Sequence, residues 1–138
     1  MIENLCERIT EGIDFFNREY FFEAHDTIEE LWMDAREQTQ RDLFHGLVNI
    51  ATGFYHYRMG NRNGMQSQLQ KGKDKLSQVP PQCFGVNVDK LLQEVQAYIK
   101  KEHLHTAFPE PLPKIEFNAN DAIRAIRLPQ AWQADRTD

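Results

Sequence analysis

Thiols, basic side chains and long apolar runs are all scarce in this chain. Of 138 residues only Cys6 and Cys83 are cysteines, far apart and in no Cys-x-x-Cys pair. That excludes a disulfide-stapled scaffold and a thiol-redox motif, and both thiols are expected to be reduced. Lysine and arginine total 16 against 21 aspartates and glutamates, a net charge of −5. Non-specific nucleic-acid affinity draws on a dense basic face, and the tightest basic cluster, Lys71, Lys73 and Lys75, is broken by Gly72 and Asp74. It reads as a solvated helix face, so no nucleic-acid partner is expected. No apolar run approaches the roughly 18 residues that span a bilayer. The opening Met-Ile-Glu-Asn-Leu-Cys-Glu-Arg lacks the basic and then apolar segments of a signal peptide. The expectation is a cytoplasmic protein with no membrane segment. Strand-like alternation persists nowhere, which leaves helices.

What is present suits one helical domain. Hydrophobic residues make up 41% of the chain, enough to bury a core at this length. Leu5, Ile9, Gly12, Ile13 and Phe16 recur at helical spacing and predict a first helix over about 3–17. A break near Arg18-Glu19 leads into a second, over about 20–37. Thr39, answered by Asp42 three residues on, predicts the cap of a third helix that reaches Arg58. Gly60 to Gly64 reads as a turn. Met65, Leu69, Gly72 and Leu76 then give a fourth helix ended by Val79-Pro80-Pro81, and Asn87 caps a fifth carrying Leu91, Val95 and Ile99. The fold expected is all-α: a compact bundle of antiparallel helical hairpins, about five helices, over residues 1–103.

From 104 to 138 the character changes. Phe108-Pro109-Glu110-Pro111-Leu112-Pro113 favours extended backbone, and Asn118 or Asn120 starts one short helix with Ala122, Ile123 and Ile126. Phe117, Leu128 and Trp132 argue for a C-terminal arm packed on the domain or on a partner. A protein partner or a homo-oligomer would engage through it.

The run Glu23-Ala24-His25-Asp26-Thr27-Ile28-Glu29-Glu30-Leu31-Trp32 mixes acid, imidazole and indole. On a helix it puts Phe22, His25, Glu29 and Trp32 on one stripe, where an amphipathic helix normally shows aliphatics. If the second and third helices turn back near residue 39, Trp32 faces Gly46, Glu29 faces Asn49 and His25 faces Gly53. Glycine inside a helix costs roughly 1 kcal/mol relative to alanine, and close approach to bulky groups would justify it. The first hairpin likewise sets Gly12 near His25 and Arg8 near Glu29. A largely buried carboxylate needs such partners to stay ionised.

The segment from Phe16 to Trp32, with Arg41-x-x-Phe44-His45-Gly46-Leu47 and Arg58-x-Gly60-Asn61, resembles the bacterial and archaeal family called domain of unknown function 309. The resemblance covers roughly residues 5–100. It implies a small all-helical bundle with Glu23, His25, Glu29, Trp32, Arg41 and Gly46 on signature positions, and it implies no activity. The family's pattern often has glutamine where this chain has His45 and Asn49, which alters the donor and acceptor set there.

The pocket candidates are therefore Glu23, His25, Glu29, Trp32, Arg41, Gly46 and Asn49. Arg41 either binds an anion near the start of the third helix or pairs with Glu37. His25 and Glu29, one turn apart, are the weak candidates for metal ligands. Dinuclear bundles use Glu-x-x-His, and the one match, Glu102–His105, stands alone near the arm. No metal and no cofactor is expected. A carboxylate beside His25 would fix its tautomer for general-base work, but no nucleophile accompanies it, since Ser67 and Ser77 lie on an exposed helix face. The leading expectation is a non-enzymatic binding or interaction module with a polar pocket around His25, Glu29 and Trp32. The alternative is a small hydrolase-like enzyme using His25 with Glu23 or Glu29, possibly with metal assistance.

Overall fold

A computed structural model of the chain describes residues 2–99 and 110–127. Readings that fall on Glu102, His105, Phe108, Leu128 and Trp132 lie outside the described residues. Helix α1 spans Ile2–Asn17, α2 Phe21–Asp34, α3 Gln38–Arg58, α4 Arg62–Leu76, α5 Val88–Ile99 and α6 Ala119–Arg127. Between α4 and α5 lies a small antiparallel hairpin, β1 (Gln82–Cys83) and β2 (Val86–Asn87). The described residues are all-α apart from that hairpin.

Each hairpin of helices forms because its connection is short and its inward stripe apolar. Ile9, Ile13 and Phe16 of α1 are buried against Phe21, Ala24 and Ile28 of α2. The turn between them takes Glu19 through the left-handed region at φ 65°. It closes with the Tyr20 amide donating to the Phe15 carbonyl at 2.9 Å. Helix α3 is the central element, packed by α2 on one side and α4 on the other, with Leu43, Phe44, Leu47, Ile50, Ala51 and Phe54 buried. Phe16, Phe21 and Phe54 meet at ring separations of 5.3–6.1 Å and bind the first three helices into one core.

The cap of α3 differs from the sequence expectation. Glu37, in extended backbone, accepts a hydrogen bond from the Gln40 amide at 2.8 Å, whereas Thr39 is already inside the helix and buried. Asp42 instead accepts from the side chain of Gln38. An extended Glu37 reaches the first-turn amides two residues earlier than Thr39 would. Helix α2 correspondingly stops at Asp34, short of the expected residue 37. Asn61 caps α4 through the Gly64 amide and Asn87 caps α5 through the Lys90 amide, the latter as the sequence indicates.

The glycines correct the expected pairing of α2 with α3. A Cβ on Gly46 would lie 2.6 Å from the Leu76 side chain, and one on Gly53 would lie 2.7 Å from Leu69. Gly72 of α4 comes within 3.0 Å of the Gly46 carbonyl by the same construction. Gly46, Gly53 and Gly72 thus serve the close approach of α3 to α4, not of α3 to Trp32 or His25. The observed α2–α3 ring contacts, Trp32 with His45 and Phe22 with Tyr55, each fall one residue earlier on α3 than a turn centred at residue 39 gives. One residue rotates a helix face by about 100°, enough to turn the glycines onto the other neighbour. In the first hairpin Gly12 meets Ile28 rather than His25, and Arg8 pairs with Asp34 at 3.0 Å rather than with Glu29.

The two-residue strands are too short to leave an alternating pattern, so the β-hairpin was illegible from sequence. Its turn puts Phe84 at φ 46° and Gly85 at φ 83°, the two positive values of a tight hairpin turn. Residues 116–118 extend it: the Asn87 amide donates to the Glu116 carbonyl, and the Asn118 amide to the Gly85 carbonyl. Asn17 at the end of α1 exchanges two hydrogen bonds with the Ile115 backbone, at 2.7 and 2.9 Å. Leu112 and Ile115 are buried in the main core, and α6, capped by Asn118, buries Ala122 and Ala125 while packing against α1.

Candidate functional site

The polar stripe of α2 lies along its border with α3 at the surface, not in the core. His25 keeps 29% of its side chain exposed and Glu29 41%. The ring nitrogens of His25 are each beside a carboxylate: Nε2 is 3.4 Å from Glu29 Oε2 and Nδ1 is 3.1 Å from Asp26 Oδ1. The expected buried pair supported by Arg8 and Asn49 is therefore not formed. The reason is rotational: Ala24, Ile28 and Leu31 take the inward positions, leaving His25 and Glu29 on the flank.

Toward the end of α2, Trp32 stacks on His45 of α3 with ring centroids 4.0 Å apart and planes 15° from parallel. The Arg41 guanidinium lies 5.7 Å from the Trp32 ring centroid. Arg41 Nη1 donates to the carbonyls of Ala35 at 2.9 Å and Trp32 at 3.4 Å, and neither an ion pair with Glu37 nor a ligand is needed to place it. Helix α2 has no basic residue in its last turn, so Arg41 supplies from the next helix the positive charge that terminal carbonyls favour. Burial pushes the His45 imidazole below its ordinary value, and the nearby Lys75 and Arg41 charges push the same way against a smaller pull from Asp42. Asn49, a turn further along α3, is buried and donates to Gln68 Oε1 of α4 at 2.9 Å. Its own Oδ1 is buried and accepts no hydrogen bond among the described residues.

Toward the start of α2 the two helices part over a hollow of about 190 Å³ lined by Phe22, His25, Thr52, Tyr55 and His56. Phe22 is half exposed, at 52%, and its ring centroid stands 5.8 Å from that of Tyr55 and 6.5 Å from that of His25. Tyr55 in turn stands 6.3 Å from His56. The Thr52 hydroxyl is committed to the Val48 carbonyl at 2.8 Å. Among the described residues no lysine or arginine lines the hollow.

The structure thus brings His25 and Glu29 together and sets Trp32 with Arg41, while Gly46 belongs to the α3–α4 contact and Glu23 is exposed. Thr52, Tyr55 and His56 are not among the candidates read from the sequence. The signal was present in the polar line His45, Asn49, Thr52 and His56, whose spacing of four, three and four residues marks one helix face. Both cysteines are buried and lie elsewhere, with Cys6 Sγ directed at the Ala119 carbonyl. Among the described residues no three histidines, cysteines or carboxylates are grouped to hold a metal ion, and no helix is long and apolar enough to cross a membrane.

The chain is similar to an uncharacterized protein of Aquifex aeolicus (strain VF5), 23% identical over 117 residues. That match covers 85% of this chain but 34% of the relative, so the chain spans about a third of the length of that protein. Residues 9–68, which contain the whole of α2 and α3 and every residue lining the hollow, match the model of the family described as Domain of unknown function (DUF309).

Proposed function

We propose that this chain is a non-enzymatic binding module, and that its ligand site is the α2–α3 groove running from the Phe22 hollow past His25 and Glu29 to the Trp32–His45 stack. The observation that carries the reading is the hollow itself: a concave, largely apolar place with an exposed Phe22 at its edge. Exposed aromatics beside a cavity are what small-molecule and side-chain pockets offer. Groups that covalent chemistry would need are committed elsewhere: the Thr52 hydroxyl to backbone, both thiols to buried positions. The match to one third of a longer relative suits a module. Nucleic acid stands outside the ligand class, since among the described residues no lysine or arginine lines the hollow. A partner or second copy meeting residues 104–138 is the less favoured surface, because Leu112, Ile115 and Ala122 are buried within the chain's own fold.

The alternative enzyme reading rests on His25 flanked by Glu29 and Asp26, an arrangement that orients an imidazole for proton transfer. A fragment titration of ¹⁵N-labelled protein tests the binding reading. With indole, phenol and small aliphatic alcohols, saturable amide shifts at 22–26 and 52–56 are expected. Absence of shifts there for every fragment would overturn the binding reading.

A further inference from the structure

We infer that the group this hollow receives is an alkylammonium cation, a protonated or quaternary amine carrying methyl or methylene groups. The inference rests on the binding reading above and specifies its ligand. Four of the five lining residues are rings, Phe22, His25, Tyr55 and His56, with neighbouring centroids 5.8–6.5 Å apart. The faces of Phe22 and Tyr55 attract a cation held within about 6 Å of their centroids, while the apolar lining accommodates its alkyl surface. The volume of about 190 Å³ is the space of about six waters, enough for one such group and too little for a folded element.

Charge at the rim selects among candidates of that size. Asp26 and Glu29 reach the two nitrogens of His25, one of the lining residues, at 3.1 and 3.4 Å and are 58% and 41% exposed. Among the described residues no lysine or arginine lines it, and the chain as a whole carries −5. An anion would find carboxylates and committed donors. An inorganic divalent ion would find no ligand set of three among the described residues. A neutral apolar group would gain from the rings but draw nothing from the carboxylates. An alkylammonium uses both.

The test is a titration of the full-length labelled chain with tetramethylammonium chloride, and separately with neopentyl alcohol, which has similar bulk and no charge, at matched ionic strength. Tetramethylammonium is expected to shift Phe22, His25, Thr52, Tyr55 and His56 saturably, with the alcohol weaker by about tenfold. Asp26→Asn with Glu29→Gln, both exposed and isosteric, should lower the cation's affinity by a similar factor. Phe22→Ala, which removes an exposed ring, should abolish the shifts without unfolding the protein. If a peptide bearing trimethyl-lysine binds tighter than tetramethylammonium, the cation inference stands and its source is a protein side chain. Equal or stronger binding of the alcohol overturns the cation inference while leaving the hollow a binding site. No saturable shift from tetramethylammonium overturns it as well, and the indole and phenol titrations then decide the binding reading on their own.

Discussion

Replacing Gly46 by alanine tests the packing that turns the α2–α3 groove outward. The new methyl would sit 2.6 Å from both Cγ and Cδ2 of Leu76 and 3.4 Å from the Gly72 carbonyl. Leu76 is fully buried, at 0% exposure, and its Cγ is a branch point that cannot swing aside as a side-chain tip would. Overpacking of this kind costs about 1–3 kcal/mol, while the helix gains roughly 1 kcal/mol from exchanging glycine for alanine. The overpacking term is the larger, so Gly46→Ala should destabilise the fold by about 1 kcal/mol. In a Leu76→Ala background, itself lowered by about 2–5 kcal/mol, the same methyl has room. Its effect should reverse to a gain of up to about 1 kcal/mol. The cycle therefore predicts a coupling energy of about 2 kcal/mol between positions 46 and 76, read by urea denaturation of the four proteins at constant m-value. Trp32→Ala should leave the Gly46→Ala cost unchanged. A stabilising Gly46→Ala in the wild-type background, or relief by Trp32→Ala in place of Leu76→Ala, would refute the register and restore the glycine-against-indole pairing.

Three further outcomes follow from the site. Arg41→Gln should cost about 1 kcal/mol, because two carbonyls at the end of α2 lose their charged donor, and Arg41→Lys should restore only part; denaturation midpoints check both. His25→Ala and Glu29→Gln should each change stability by no more than about 1 kcal/mol, since the pair is partly exposed and solvent-screened; a loss of 3 kcal/mol or more, the cost of stranding a buried charge, would put the pair in the core. His45 binds its proton less readily folded than unfolded, so the unfolded chain takes up more protons as pH falls. Stability should accordingly decline as pH drops below the ordinary 6.5 toward the lower folded value, and His45→Gln should flatten that slope in thermal melts between pH 5 and 7.

Much of the fold was legible because helix stripes are local. Ile9, Ile13 and Phe16, or Leu91 and Val95, announce their inward faces within a single element, and the caps at Asn87 and Asn118 sit beside their helices in sequence. Register between helices is a different quantity. It depended on how far past Ala35 the second turn extends, and on Glu37 rather than Thr39 opening α3. That small change moved Gly46 and Gly53 from α2 to α4 and brought His45, Thr52 and Tyr55 onto the groove. The stripe holding Phe22, His25, Glu29 and Trp32 was visible from spacing alone. Its depth was not, because Ala24, Ile28 and Leu31 supply an inward face that leaves no space for the imidazole. The β-hairpin and its contact with 116–118 join segments some 30 residues apart, and two-residue strands carry no periodicity to find.

The groove as the ligand site is tested most directly by the ratio of fragment affinities between the wild-type chain and Phe22→Ala, measured by the same amide titration at matched Tm. Removal of the half-exposed ring should leave Tm within about 2 °C, since surface substitutions fall near 0.5 kcal/mol, and should weaken binding by about tenfold or more. Equal affinities in the two proteins, or shifts gathered away from residues 22–26 and 52–56, would contradict the account.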